Sequence, residues 1–137
     1  MSFELHPQLA ADCLPVGDLP LCRILLSNDS RYPWFILVPR RENITEIHQL
    51  DDTDRNQLWR ESNWFSRQLD ALYSPDKLNI AALGNMVPQL HIHHIVRFKT
   101  DDAWPAPVWG KHPPKPYSDD EAEQHIAQIQ VRLNTFS

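Results

Sequence analysis

The chain has 137 residues and a net charge of −5 with its histidines neutral. That length suits a single domain, residues 1–137, with enough buried surface to fold without a disulfide or metal staple. The acidic balance argues against a nucleic-acid binder, which would show a basic face, yet leaves room for a small anion held by a local nest of donors.

In chain order, no basic segment followed by an apolar run opens the sequence, so no signal peptide is expected. Cys13 and Cys22, the only cysteines, lie outside any CxxC spacing and read as reduced thiols in or near a core. Residues 21–26 (LCRILL) read as a strand closed by the turn-forming run Ser27-Asn28-Asp29-Ser30. Residues 34–38 (WFILV) form a second strand, ended by Pro39 and the pair Arg40-Arg41. This longest strongly apolar stretch is far too short to span a bilayer, and the expectation is a soluble, cytoplasmic protein.

The acidic cluster at residues 51–54 suits the positive end of a helix dipole. From there Leu58, Ser62, Phe65, Leu69 and Leu72 recur on one helical stripe, flanked by Trp59 and Trp64, and predict a long amphipathic helix stopped at Ser74-Pro75-Asp76. Residues 77–83 and 89–98 read as two further strands joined through Gly84-Asn85. Residues 101–117 hold Pro105, Pro107, Pro113, Pro114 and Pro116, which exclude a helix and a central strand and predict an extended arm pinned by Trp104, Trp109 and Tyr117. Ser118-Asp119-Asp120-Glu121 has the form of a capping box, followed by an apolar stripe at Ala122, Ile126, Ile129 and Leu133, so a C-terminal helix is expected. Strands, long helix, strands, arm and helix give an α+β fold with an antiparallel sheet. None of the three glycines sits in a Walker or dinucleotide-binding loop.

The histidines carry the functional signal. Alternation along a strand places Gln89, His91 and His93 on one face, about 6.8 Å apart in succession, and Leu90, Ile92 and His94 on the other. A polar ladder on a strand that should be central breaks the packing rule, as functional sites tend to do. Three readings stand beside one another: a satisfied structural polar face, a metal site built on His91 and His93, and nucleophilic histidine chemistry at phosphorus. No cysteine or carboxylate lies nearby in sequence to serve as a third metal ligand.

The run Gly84-Asn85-Met86-Val87-Pro88-Gln89-Leu90-His91-Ile92-His93-His94-Ile95 resembles the signature of the histidine-triad (HIT) superfamily, three histidines alternating with apolar residues after a Gly-Gln-x-Val segment. The spacing from the glycine is kept without a gap, but Gln89 stands where the first histidine belongs, Asn85 replaces glutamine, and His94 falls at a normally apolar position. An alternative register starting the triad at His91 would misalign Gly84 and put Ile95 in place of the third histidine. The resemblance implies a HIT-like antiparallel sheet with one long central helix and a C-terminal helix, the Pro-rich arm 101–117 lying between. It also implies a homodimer that acts on a nucleotide-type small molecule, while the acidic balance and the short apolar stretches lead to the expectation of no nucleic-acid or membrane partner. The implied reaction is hydrolysis or transfer at the α-phosphorus of a dinucleoside polyphosphate, nucleoside phosphoramidate or similar compound.

In that reading His91 is the nucleophile that forms a covalent nucleotidyl-histidine, His93 contacts phosphate oxygens or the leaving group, and Gln89 orients its neighbours without titrating. Asn85 is expected at the phosphate, Asn28 at the ribose, and Arg97, on the ladder face, within reach of a phosphate. Asn79 completes the candidate substrate-binding set. No cofactor is required, although a divalent cation can accompany the nucleotide. His94 is expected to be a packed structural histidine, and His112 can approach from the arm. His6, His48 and His125 read as surface residues. Replacing Gln89 by histidine, which rebuilds the triad, is expected to give equal or higher turnover. A nucleotide binder without turnover and a metal-dependent hydrolase using His91 and His93 are the alternatives.

Overall fold

A computed structural model describes residues 2–137. Five strands form one antiparallel sheet: β1 (Cys13–Asp18), β2 (Cys22–Ser27), β3 (Trp34–Pro39), β4 (Lys77–Ala81) and β5 (Ile92–Arg97), in spatial order β1-β2-β3-β5-β4. Three α-helices accompany it: α1 (Pro7–Asp12), α2 (Asp52–Tyr73) and α3 (Asp119–Gln130). The α+β architecture is the expected one. Both β2 and β3 read as continuous apolar runs rather than alternating ones because both faces of the sheet are covered.

The helix-facing side carries the main core. Cys22, Ile24 and Leu26 of β2, Phe35 and Leu37 of β3, and Ile92 and Val96 of β5 pack with Leu58, Phe65 and Leu69 of α2 and Ile129 of α3. Asp51 caps α2 by accepting from the Asp54 N–H at 2.8 Å, with Asp52 and Asp54 in the first turn. The helix ends where Ser74 turns left-handed at φ 48°, ahead of Pro75. Its stripe includes one residue that apolar periodicity does not find. Glu61 is fully buried, and its carboxylate accepts the N–H groups of Leu21 and Cys22, both at 2.8 Å, and the Gln57 side chain. A buried carboxylate is tolerable there because charge-assisted bonds satisfy it. Trp59 is 54 % exposed, whereas Trp64 is buried edge-on against Phe136 and is part of the core rather than a free flank.

The opposite side of the sheet carries two smaller apolar groups. Leu25, Ile36 and Val38 pack with Leu9, Cys13 and Val87, and Ile95 packs with Tyr32, Ala103 and Val108. This side is covered by α1, by the loop between β4 and β5, and by the arm. Both cysteines are free and buried.

Two elements escape the sequence pattern. The helix α1 is only six residues long, and β1 contains Pro15 and Gly17, with a break in register between them. Proline is admissible there because β1 lies at the sheet edge. Gly17 is a point of close approach: a Cβ would lie 2.6 Å from Cδ1 of Leu133. The strand expected over 89–98 starts pairing only at Ile92, so Gln89 lies outside the ladder of β3 and β5.

Candidate functional site

The arm reaches the sheet through Arg97. This side chain is 2 % exposed and forms an ion pair with Asp101, whose carboxylate is 2.8 Å from Arg97 Nε. Arg97 also donates to Asn79 Oδ1 at 2.7 Å and to the Ala106 carbonyl at 2.9 Å, and its guanidinium lies over the rings of Tyr32 and Trp104. Asp101 accepts in addition from the N–H groups of Phe98, Ala103 and Trp104. Burial alone would raise the Asp101 carboxyl, but these bonds and the Arg97 charge hold it below its ordinary value. Arg97 and Asn79 are therefore corrections to the expected substrate-binding set. Face parity is as expected, but the arm folds over that end of β5, and four of the five guanidinium N–H groups of this buried side chain are bonded to Asp101, Asn79 and the Ala106 carbonyl.

Further along, the arm returns to the loop between β2 and β3. Asn28 Oδ1 accepts from the Tyr117 N–H at 2.9 Å, Asp29 Oδ1 accepts from the Arg31 and Lys115 N–H groups, and the Ser30 N–H donates to the Lys115 carbonyl. His112 turns to the Asp102 carbonyl and does not line the cavity that His91 and His93 share.

These elements enclose a cavity of about 710 Å³ on the non-helical side of the sheet, a size ordinary for small-molecule sites. His91, His93, Asn85 and Asn28 all line it. So do Leu9, Asp12, Cys13, Asp29, Trp34 and Trp109, which sequence reasoning did not assign to the site. Most of these come from α1, β1 or the arm, and no local period marks them. No lysine or arginine lines the cavity, and its two carboxylates belong to Asp12 and Asp29.

His91 is buried, and its Nδ1 lies 2.7 Å from the Gln89 carbonyl. A carbonyl only accepts, so Nδ1 carries the proton and Nε2 keeps its lone pair. Burial lowers the His91 pKa, opposed by the Gln89 carbonyl and reinforced by the charge of His6, so the ring is neutral at pH 7. The loop before it is tight. A Cβ on Gly84 would meet the Val87 carbonyl at 2.8 Å and His91 Cε1 at 3.5 Å, which accounts for a glycine at this spacing from His91.

His93 sits one step along the same face, its ring centroid 4.9 Å from that of His91. Its Nδ1 is 3.0 Å from Trp34 Nε1 and its Nε2 is 3.2 Å from the Leu83 carbonyl. Burial pulls it down to about 4, with the charges of His91 and His94 adding and the Leu83 carbonyl opposing. His94 faces α2, as alternation requires. Its Nδ1 donates to the Ile92 carbonyl, its Nε2 is 2.8 Å from Ser62 Oγ, and Phe65 packs edge-on against the ring. It is a structural histidine.

Gln89 departs furthest from its expected role. Its side chain does not line the cavity but turns to the N-terminal segment, accepting from the His6 N–H at 2.8 Å and donating to the Glu4 carbonyl at 2.9 Å. The ladder parity fails here because β5 has not yet begun to pair. His6 and His125 also do more than sit at the surface. His6 caps α1, and His125 is stacked on Tyr73 and hydrogen-bonded to its hydroxyl at 2.6 Å.

Among the described residues no three His, Cys, Asp or Glu side chains converge as a metal-ligand set, and no helix is long and apolar enough to cross a membrane.

Fold and site together define an α+β protein whose paired neutral histidines meet in a ligand-sized cavity. The HIT domain family model matches residues 8–100, and the chain belongs to the HIT family. It is similar over its whole length to the solved structure of a histidine triad protein from Marinobacter aquaeolei VT8, at 47 % identity and a TM-score of 0.96, covering 100 % of both chains. A histidine triad protein from Bradyrhizobium japonicum is 44 % identical at a TM-score of 0.95, covering 97 % of this chain and 99 % of that one. A histidine triad (HIT) protein from Sinorhizobium meliloti 1021 is 41 % identical at a TM-score of 0.92, covering 94 % and 96 %. The search of curated protein sequences found no match.

Proposed function

We propose that this protein is a nucleotide hydrolase or nucleotidyl transferase that passes a nucleoside monophosphate through His91. One observation carries the reading: the Gln89 carbonyl holds Nδ1–H of His91, so the lone pair of a neutral Nε2 is available within a cavity of about 710 Å³. His91 Nε2 forms a bond to the α-phosphorus while the leaving group departs with the electron pair of the broken bond; water then displaces the nucleotide from His91. His93 and Asn85 contact phosphate oxygens from the same cavity, and Asn28 contacts the ribose. The cavity lining supports a substrate with one phosphoryl group at the reacting centre over a long polyphosphate, because no lysine or arginine is there to balance several charges. The reaction needs no resident cofactor, and a divalent cation that accompanies a nucleotide would arrive with it.

The same reading places the protein in the cytoplasm as a homodimer. Trp59, 54 % exposed on α2, and Ile80, 46 % exposed on the edge strand β4, are surfaces that association would cover. Intact-protein mass spectrometry after brief mixing with adenosine and guanosine 5′-phosphoramidates tests the catalytic reading. Trapping a nucleotide monophosphate on the tryptic peptide that contains His91 is the expected result. Tight binding with neither adduct nor turnover would make the protein a nucleotide binder instead.

A further inference from the structure

Trp34 opens β3, where it pairs with Ile95 while Ile36 pairs with His93, so Trp34 is a diagonal neighbour of His93 on the cavity face. Its indole lies 5.7 Å from the His93 ring, and Trp109 from the arm closes on both, at 5.1 Å from His93 and 5.8 Å from Trp34. The contact that matters is the 3.0 Å bond between Trp34 Nε1 and His93 Nδ1. An indole N–H can only donate, and a carbonyl can only accept. Nδ1 of His93 must therefore carry the lone pair, and the single ring proton sits on Nε2, facing the Leu83 carbonyl at 3.2 Å. We infer that Trp34 is a positioning residue that fixes His93 as its Nε2–H tautomer, so that His93 meets the bound phosphoryl group as a neutral donor and not as a proton source.

This rests on the reading of His91 as the nucleophile. Protonating His93 at Nδ1 would set one N–H against another inside a buried aromatic cluster and break the bond to Trp34. The bond to Leu83, long at 3.2 Å, is the one a phosphate oxygen can replace. His93 then stabilises charge on that oxygen with the proton it already holds. When His91 Nε2 bonds to phosphorus, the leaving group takes the electron pair of its bond and obtains any proton it needs from water. Gln89 supplies none, since it cannot titrate and points to Glu4 and His6. The site therefore favours leaving groups that depart readily as anions.

The test begins on the free wild-type protein, labelled with ¹⁵N-histidine, at neutral pH. The expected spectrum gives His93 an unprotonated Nδ1 and a protonated Nε2. A protonated Nδ1, or a doubly protonated ring, would overturn the inference whether or not the protein turns over nucleotides. Trp34→Phe should then let His93 populate both tautomers. It should also flatten the dependence of kcat on leaving-group basicity across a series of adenosine 5′-monophosphate aryl esters, with a smaller effect on KM. If Trp34→Phe misfolds, placing 3-benzothienylalanine at position 34 exchanges the N–H for sulfur at nearly constant volume. An unchanged His93 tautomer in a folded variant would refute the role of Trp34. Absence of any adduct on His91 would sink the catalytic reading while leaving the tautomer result intact.

Discussion

The backbone carbonyl of Gln89 holds His91 Nδ1 at 2.7 Å, while the side chain of the same Gln89 points the other way and fastens the N-terminal segment through His6 and Glu4. The two jobs are separable, because the first uses only the main chain. His91 is thus oriented by the main chain of whatever residue stands at position 89, and the proposed nucleophile can be tested apart from the Gln89 side chain. Replacing His91 by Asn should abolish the covalent adduct and cut turnover by about 10³-fold or more, since no neighbour can substitute for a nucleophile. His93→Gln should slow turnover while the adduct still forms. Retained activity in His91→Asn, with loss of the adduct in His93→Gln, would mean the triad is read two residues out of register.

Gln89→His gives a different expectation from the sequence alone. An imidazole cannot both accept from His6 N–H and donate to the Glu4 carbonyl with the reach of a glutamine amide. Losing one or both bonds, worth about 1 kcal/mol each, should loosen the segment that leads into α1, which contributes Leu9, Ala11 and Asp12 to the cavity wall. Turnover should not rise, and nucleotide affinity should fall several-fold by calorimetry. A gain in turnover at unchanged affinity would show that position 89 can reach the phosphate after all.

Arg97→Ala should be among the most damaging substitutions outside the cavity. It leaves Asp101 buried without its cation, at a cost of about 3–5 kcal/mol, and frees the arm that carries Trp109 to His93. Urea denaturation should show the lost stability, and nucleotide binding should weaken even where the variant is folded. Full binding by a folded Arg97→Ala would mean the arm has no part in the site. Cutting the chain after Phe98 should have the same two effects in stronger form.

Acid should destabilise this fold over a defined range. His93 and His94 are both pulled down to about 4 in the folded protein, chiefly by burial, against about 6.5 in an unfolded chain. Between those values the unfolded chain binds the extra protons, so stability rises with pH and is at its full value above about pH 6.5. Each histidine accounts for up to about 3 kcal/mol lost on acidification through that window. The urea midpoint should fall steadily from about pH 7 to about pH 4.5, and His94→Gln should show a shallower fall. A flat profile would contradict the burial of these rings as neutral groups.

The expected homodimer is checked by light scattering at high micromolar concentration. A dimer mass that shifts toward monomer in Trp59→Glu is the predicted result, and a strictly monomeric wild type would remove the dimer from the proposal.

Local chemistry made much of this protein legible in its sequence. The stripe from Leu58 to Leu72, the cap at Ser118 and the alternation at His91, His93 and His94 each depend on residues a few positions apart; both helices formed where their patterns lay, and the histidine strand formed from Ile92 onward. Even the division of labour between His93 in the cavity and His94 on α2 follows from the two-residue period of a strand. What the sequence could not decide was what would come to lie against that strand. Arg97 has the right parity for a phosphate contact, but the Asp101 carboxylate and the folded-back arm capture it. Gln89 has the right spacing for the triad, but sheet pairing begins only at Ile92, and the backbone before it is free to turn the amide toward Glu4 and His6. Leu9, Asp12 and Cys13 join the site from a short helix and an edge strand that proline and glycine disguise. Trp34 joins by a diagonal contact between β3 and β5, strands separated in sequence by α2 and β4. Those pairings are set by long-range burial, which no local period encodes.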